Sequence, residues 1–203
     1  MSSFDVGRAL GIIGSALVVF DLVLVAVGLY TFLLTIAGLI LVVASLHYIS
    51  LVYGERRVFR YAVIAVAVSL LALILVLLLV AITLGFAFLS ILLGPLGALP
   101  AIGSLVLLLI VSLLILLAAA PISALFWYLS LDTLSRVSGV TLFKWAAVLY
   151  AAGVVLLILG VLTLIVLVGI IFLALSYIST LASWVLLAIA FYTLKPSQPQ
   201  GLT

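Results

Sequence analysis

The seven lysines and arginines are Arg8, Arg56, Arg57, Arg60, Arg136, Lys144 and Lys195, and the stretches between them are almost free of charge. Those stretches are long enough to cross a bilayer, once or twice each, at about 20 apolar residues per helical span. No other feature narrows the fold as far. Hydrophobic residues make up 70% of the 203 and charged residues only 5%, against about 25% charged in a soluble domain. A chain with so little polar surface belongs in lipid. Its net charge of +3 therefore sets topology and does not suggest nucleic acid.

Segmenting the chain on this basis predicts an all-α, polytopic fold. The first run, Ala9 to Val52, is too long for one span and suits two, with a turn near Gly28-Leu29-Tyr30-Thr31. Tyr61 to about Leu84 makes a third. Gly85 to Ser104 carries no charge but holds Gly94-Pro95, Gly97, Pro100 and Gly103, which disfavour a regular helix. It is expected to be a re-entrant element, an interfacial helix or an apolar outer loop. A fourth span follows, with a kink expected at Pro121, then a polar segment from Leu131 to Thr141. Leu142 to Leu194 again suits two spans, with a turn near Gly169. The expectation is one transmembrane helical domain over residues 1–203, with six transmembrane helices near 8–29, 31–52, 60–84, 102–128, 143–166 and 170–194.

Six spans bring every cation to one side, and short loops rich in Lys and Arg stay inside. Both termini are thus expected to be cytoplasmic, in a multi-pass protein of the cell membrane. Aromatic residues including Tyr48, Tyr53, Phe59, Trp127, Phe143, Trp145 and Tyr192 fall at the same level, where amphipathic rings sit among headgroups. The N-terminal run continues well past the length of a signal peptide, so cleavage there is not expected. Tyr48-Ile49-Ser50-Leu51 is echoed by Tyr128-Leu129-Ser130-Leu131, and Phe59-Arg60-Tyr61-Ala62 by Phe143-Lys144-Trp145-Ala146. The echo reads either as a weak internal repeat relating the second and third helices in parallel to the fourth and fifth, an arrangement found in transporters, or as the aromatics and cations that any inner loop recruits at its edges.

Asp21 is the ionisable side chain deepest in a span, roughly 20 Å along the helix from Arg8. Gly7, Gly14, Asp21 and Gly28 recur every seven residues, with Gly11 beside them. Glycines on one face let a second helix approach closely, so Asp21 should face protein. In a hairpin turning near residue 30, its depth on the second helix is that of Gly38, with Thr35 one turn outward and able to donate a hydrogen bond. An intramembrane carboxyl is a functional candidate by default; the competing reading is a structural hydrogen bond between helices.

The remaining polar groups carry less. His47 is the one histidine, with no ligand-forming neighbour at metal spacing, and reads as an interfacial or packed imidazole. Arg56, Arg57 and Arg60, with Arg136 and Lys144, read as topology anchors or contacts to anionic lipid headgroups. Ser176, Ser179, Thr180 and Ser183 give the last span a hydroxyl face, either packing glue or a polar path. There is no cysteine, hence no thiolate site or disulfide. Four carboxylates and one histidine form no recognisable triad or phosphate-cradling loop. No enzyme activity, cofactor or metal is expected. Scarcity of Asn, Cys and Met leans towards a thermophilic source.

Several segments together resemble a known family. They are Arg8-Ala-Leu-Gly-Ile-Ile-Gly-Ser, Gly38-Leu-Ile-Leu-Val-Val-Ala-Ser-Leu-His-Tyr-Ile-Ser and Glu55-Arg-Arg-Val-Phe, then Gly153-Val-Val-Leu-Leu-Ile-Leu-Gly and Ala188-Ile-Ala-Phe-Tyr-Thr-Leu-Lys-Pro. They look like small archaeal multi-span membrane proteins carrying a domain of unknown function. The resemblance implies an archaeal plasma membrane and transfers no activity and no catalytic residue. The chemistry leaves two leading functional expectations. One is an accessory or scaffold subunit of a membrane complex, touching lipids and a membrane-protein partner or a second copy. The other is a small transporter or channel using Asp21 in a proton- or ion-linked path.

Overall fold

A computed structural model describes residues 2–29, 32–92, 95–164 and 168–196. Among them are six helices: α1 (Ser3–Ala26), α2 (Phe32–Val52), α3 (Arg56–Leu92), α4 (Pro95–Ser138), α5 (Leu142–Leu162) and α6 (Val168–Thr193). All six are long and apolar enough to cross a membrane. The fold is an all-helical, multi-pass membrane bundle, with no strand among the described residues.

Local chemistry sets the helix ends. At the start of α1, Ser2 and Asp5 cap each other: the Asp5 N–H donates to Ser2 Oγ and the Ser2 N–H to the Asp5 carboxylate, each at 3.2 Å. This is a capping box with Asp as its acid. At the other end Gly28 takes φ +84°. Its N–H donates to Val25 O and that of Leu29 to Leu24 O, the paired bonds of a Schellman stop. Gly28 therefore ends α1 and is not part of its packing face, since a side chain there would meet nothing within 4 Å. Gly139 ends α4 in the same left-handed way, at φ +71°, donating to Ser135 O.

Three sequence expectations are corrected. Helix continues through Gly85 to Leu92, and α4 starts at Pro95 and runs through Pro100 and Pro121. Away from water, against lipid or protein, an unwound segment would strand N–H and C=O groups at several kcal/mol each, whereas one helical glycine costs about 1 kcal/mol. Pro95 takes the first helical position, where its missing N–H costs nothing. Only residues 93–94 of the expected break lie outside the described residues. The polar segment 131–141 is largely helical too, because Asp132 and Arg136, one turn apart, pair at 2.7 Å within α4. Finally, α5 stops at Leu162 and α6 begins at Val168, so Gly169 lies inside a helix rather than at the turn.

By packing, the chain divides into two units. The first comprises residues 1–65 and 124–203. Its core includes Leu46, Ile49, Val58, Leu131, Leu134, Phe143, Leu187 and Phe191, each at most 1% exposed. These residues lie towards the helix ends that carry the cations. There Arg8 stacks over the Tyr192 ring at 5.3 Å and donates to the Tyr192 carbonyl. The Tyr53 hydroxyl donates to Lys195 O at 2.6 Å, and burial pushes its phenol above the usual pKa. Ser130 Oγ donates to Val58 O at 2.7 Å.

Two antiparallel hairpins join the charged ends of α3 and α4 in this unit, and both close on small residues spaced by seven. In α1–α2, Gly7 meets Ser45 O and Gly14 meets Gly38 O. In α5–α6, Gly160 faces Gly169, Gly153 faces Ser176, and Ala146 faces Ser183. A seven-residue repeat keeps a seam facing its partner when helices coil left-handed, and small residues let the backbones touch.

The second unit is Val66–Ser123, the apolar hairpin of α3 and α4. One stripe of α3 faces inward, with Ala72, Thr83 and Ser90 buried. Ser69 and Ser123 share a hydrogen bond of 2.8 Å. Elsewhere the hairpin is apolar to the outside: Leu70, Leu71, Leu73, Ile74, Leu75, Leu77 and Leu78 are all exposed.

Candidate functional site

Polar side chains from three helices converge on one turn of α1. Asp21 is 2% exposed. Thr35 of α2 donates its hydroxyl to Asp21 Oδ2 at 2.5 Å. Tyr177 of α6 donates to the backbone carbonyl of Leu22, the next residue. The carboxylate thus faces protein, as the glycine stripe implies. The stripe sets this up physically: Gly14 and Gly38 bring the α1 and α2 backbones together, and the seam then delivers Asp21 to Thr35. Gly38 does not oppose Asp21. It lies against Gly14 and Val18, because α1 stops at Ala26 and the hairpin register is centred nearer the N-terminus than residue 30. Gly11 serves another contact, with Phe191 of α6.

Tyr177 is the member that sequence reasoning missed. Nothing in its own neighbourhood marks it. The signal was the seven-residue spacing of Gly169, Ser176 and Ser183, which fixes the inward face of α6 and puts Tyr177 at its edge.

The hydroxyl face of α6 is taken up by α5. Ser176 donates to Gly153 O at 2.7 Å, Ser179 to Leu149 O at 2.8 Å and Ser183 to Ala146 O at 2.7 Å. Thr180 lies against Gly153, where an added Cβ would come within 2.8 Å of its hydroxyl. Each of the three serines spends its one proton on a neighbouring backbone, so this face works as packing. Such bonds average about 0.6 kcal/mol in membranes.

The cations divide into committed and open ones. Arg57 reaches Glu55 at 3.9 Å, and the same carboxylate accepts from the Arg57 N–H. Arg136 is held by Asp132. Lys144 is exposed, next to Trp145 at 60% exposure. Arg56 and Arg60 have no carboxylate within ion-pair distance among the described residues. They line a cavity of about 350 Å³ with His47, Ser50, Leu51 and Phe59. His47 is exposed and packs edge-on to Phe59 at 4.7 Å.

Comparison with known proteins adds a family. Residues 34–171 match the model of a protein family of unknown function, DUF996. The chain belongs to that family. The match runs from α2 into α6 and takes in Thr35, Gly38, the Arg56–Arg60 cluster and all of α3–α5, but not Asp21 or Tyr177. No curated protein and no solved structure shows a match to this DUF996 chain.

Proposed function

We propose that this DUF996 protein is a non-catalytic subunit of a cell-membrane complex, an accessory or scaffold component with both termini in the cytoplasm. It meets lipids and either another membrane protein or a second copy of itself, and no nucleic acid. One observation carries the reading: the α3–α4 hairpin is longer and more apolar than a bilayer requires. From Arg60 to Leu92, α3 measures about 48 Å at 1.5 Å per residue. Tilted by about 40°, the steep end of the usual range, it would still span about 37 Å of a hydrocarbon layer about 30 Å thick. Its outward side chains stay apolar towards the end, with Phe88 at 67% and Leu92 at 68% exposure. Gly85 and Gly103 face open space, where a second helix could approach closely. The one-sided cations support the orientation. The close packing of the first unit, where Ser176, Ser179 and Ser183 spend their hydroxyls on α5 carbonyls, supports a role without chemistry.

A photoreactive phenylalanine analogue at Phe88 should give a discrete protein adduct in native membranes. The same analogue at Phe20, 55% exposed on α1, should capture lipid alone. Lipid adducts at both positions, with a monomer in mild detergent, would overturn the reading.

A second reading, a small transporter or channel with Asp21 in a proton- or ion-linked path, is favoured by the convergence of Asp21, Thr35 and Tyr177. Asp21→Asn keeps an acceptor for Thr35 and removes the titratable group, so it should fold. In proteoliposomes it should abolish proton or ion flux if this reading holds. Flux equal to wild type ends it.

A further inference from the structure

We propose that the cleft between the end of α2 and the start of α3 is a binding site for the phosphate headgroup of an anionic membrane lipid. Four features argue for it. The cleft is a concave site of about 350 Å³, not a flat charged surface. Arg56 and Arg60 stand one turn apart on α3, so their side chains share a face, and neither is engaged by a carboxylate among the described residues. The neighbouring acid in sequence, Glu55, accepts from the Arg57 N–H at 3.2 Å and lies 3.9 Å from the Arg57 guanidinium. That leaves two guanidiniums open, the side chain that best matches phosphate geometry through paired N–H donors. On the α2 side, His47 and Leu51 are likewise one turn apart and both exposed. His47 can donate to a phosphate oxygen, while Leu51, 55% exposed, and Phe59 offer apolar wall to the first carbons of an acyl or isoprenoid chain.

The placement argues for lipid over a soluble anion. Arg56 begins α3 and His47 lies in the last turns of α2, so the cleft sits where apolar spans give way to polar turns. That is headgroup depth, and a bound lipid could leave its chains in the hydrocarbon layer. Arg57 is not part of the site.

The test uses the full chain in nanodiscs of phosphatidylcholine, with or without phosphatidic acid, and lipid retention read by native mass spectrometry. Phosphatidic acid should be retained over phosphatidylcholine. Arg56→Gln with Arg60→Gln should lower that retention at least tenfold, at about a factor of five per cation near an acidic surface. Lys144→Gln, which removes an exposed cation elsewhere, should change it less than twofold. A loss of about fivefold for Lys144→Gln, the same per cation as in the arginine variant, would mean diffuse attraction and overturn the site. His47→Ala alters an exposed side chain and should fold; it should weaken retention about threefold, and no change in either the His47 or the arginine variant also overturns the site. Inorganic phosphate is the remaining arm. If it displaces phosphatidic acid at millimolar concentration, and binds equally well without lipid, the ligand is a soluble phosphate and the lipid assignment fails.

Discussion

Alanine at Gly169 should destabilise the bundle by about 3 kcal/mol, the upper end of the usual cost of overpacking. A Cβ there would lie 2.5 Å from Gly160 O, Leu164 Cα and Leu164 N. All three are backbone atoms, at the place where α5 hands over to α6, and none can rotate aside. Gly153→Ala, on the same seam, provides the comparison. Its nearest obstacle is Thr180 Oγ1 at 2.8 Å, a side-chain atom that can change rotamer, so about 1 kcal/mol is expected. Both can be measured by SDS-driven unfolding from mild detergent, followed by tryptophan fluorescence. Trp127 and Trp184 are buried with ring centroids 5.8 Å apart and should report loss of the core. A Gly169→Ala shift no larger than that of Gly153→Ala would show that the seam yields.

Gly11 and Phe143 should show strong coupling although they do not share a hairpin. A Cβ on Gly11 would fall 2.5 Å from the Phe191 ring. That ring is fully buried and held edge-on by Phe143 at 5.2 Å. Gly11→Ala alone should therefore cost about 2 kcal/mol by overpacking, and Phe143→Ala alone ~3–5 kcal/mol by leaving a cavity. In the double variant the Phe191 ring can move into the space Phe143 leaves. The combined loss should fall short of the sum by about 1 kcal/mol or more, as expected for residues coupled through a shared cavity. Strict additivity in the same unfolding assay would mean that Phe191 has another way out.

Sequence patterns were most readable where one physical rule acted alone. Apolar length and cation placement specify six spans because lipid excludes charge and accepts about 20 apolar residues at a time. The α1 face was readable because glycines spaced by seven have few other uses in a span, and it leads to Asp21 and Thr35. The same spacing on α5 and α6, at Ala146, Gly153 and Gly160 against Gly169, Ser176 and Ser183, was equally available and carries the same meaning. Gly28, expected on the packing face, and Gly169, expected at a turn, each proved to have the other role. One closes a helix with a left-handed turn and the other lets two backbones touch, and a glycine in a sequence looks the same in both roles. Residues 85–104 misled for a related reason. Breaker propensities are measured in water, where an open backbone can bond to solvent. Away from water, against lipid or a partner helix, that alternative is missing, so helix persists through Gly85, Pro100 and Gly103.

By itself, then, the sequence determined the membrane class, the six helices and the placement of the cations at helix ends, since these follow from the transfer of side chains between water and lipid. Only the tertiary structure decided partnership. It set Gly38 against Gly14 instead of at the depth of Asp21 and brought Tyr177 to the turn where Thr35 meets Asp21. It spent the α6 serines on α5 carbonyls, tied Glu55 to Arg57, and left Arg56 and Arg60 open above His47. Those choices depend on register and on which backbones approach within van der Waals contact, and an apolar sequence of this kind is compatible with many registers until its helices pack.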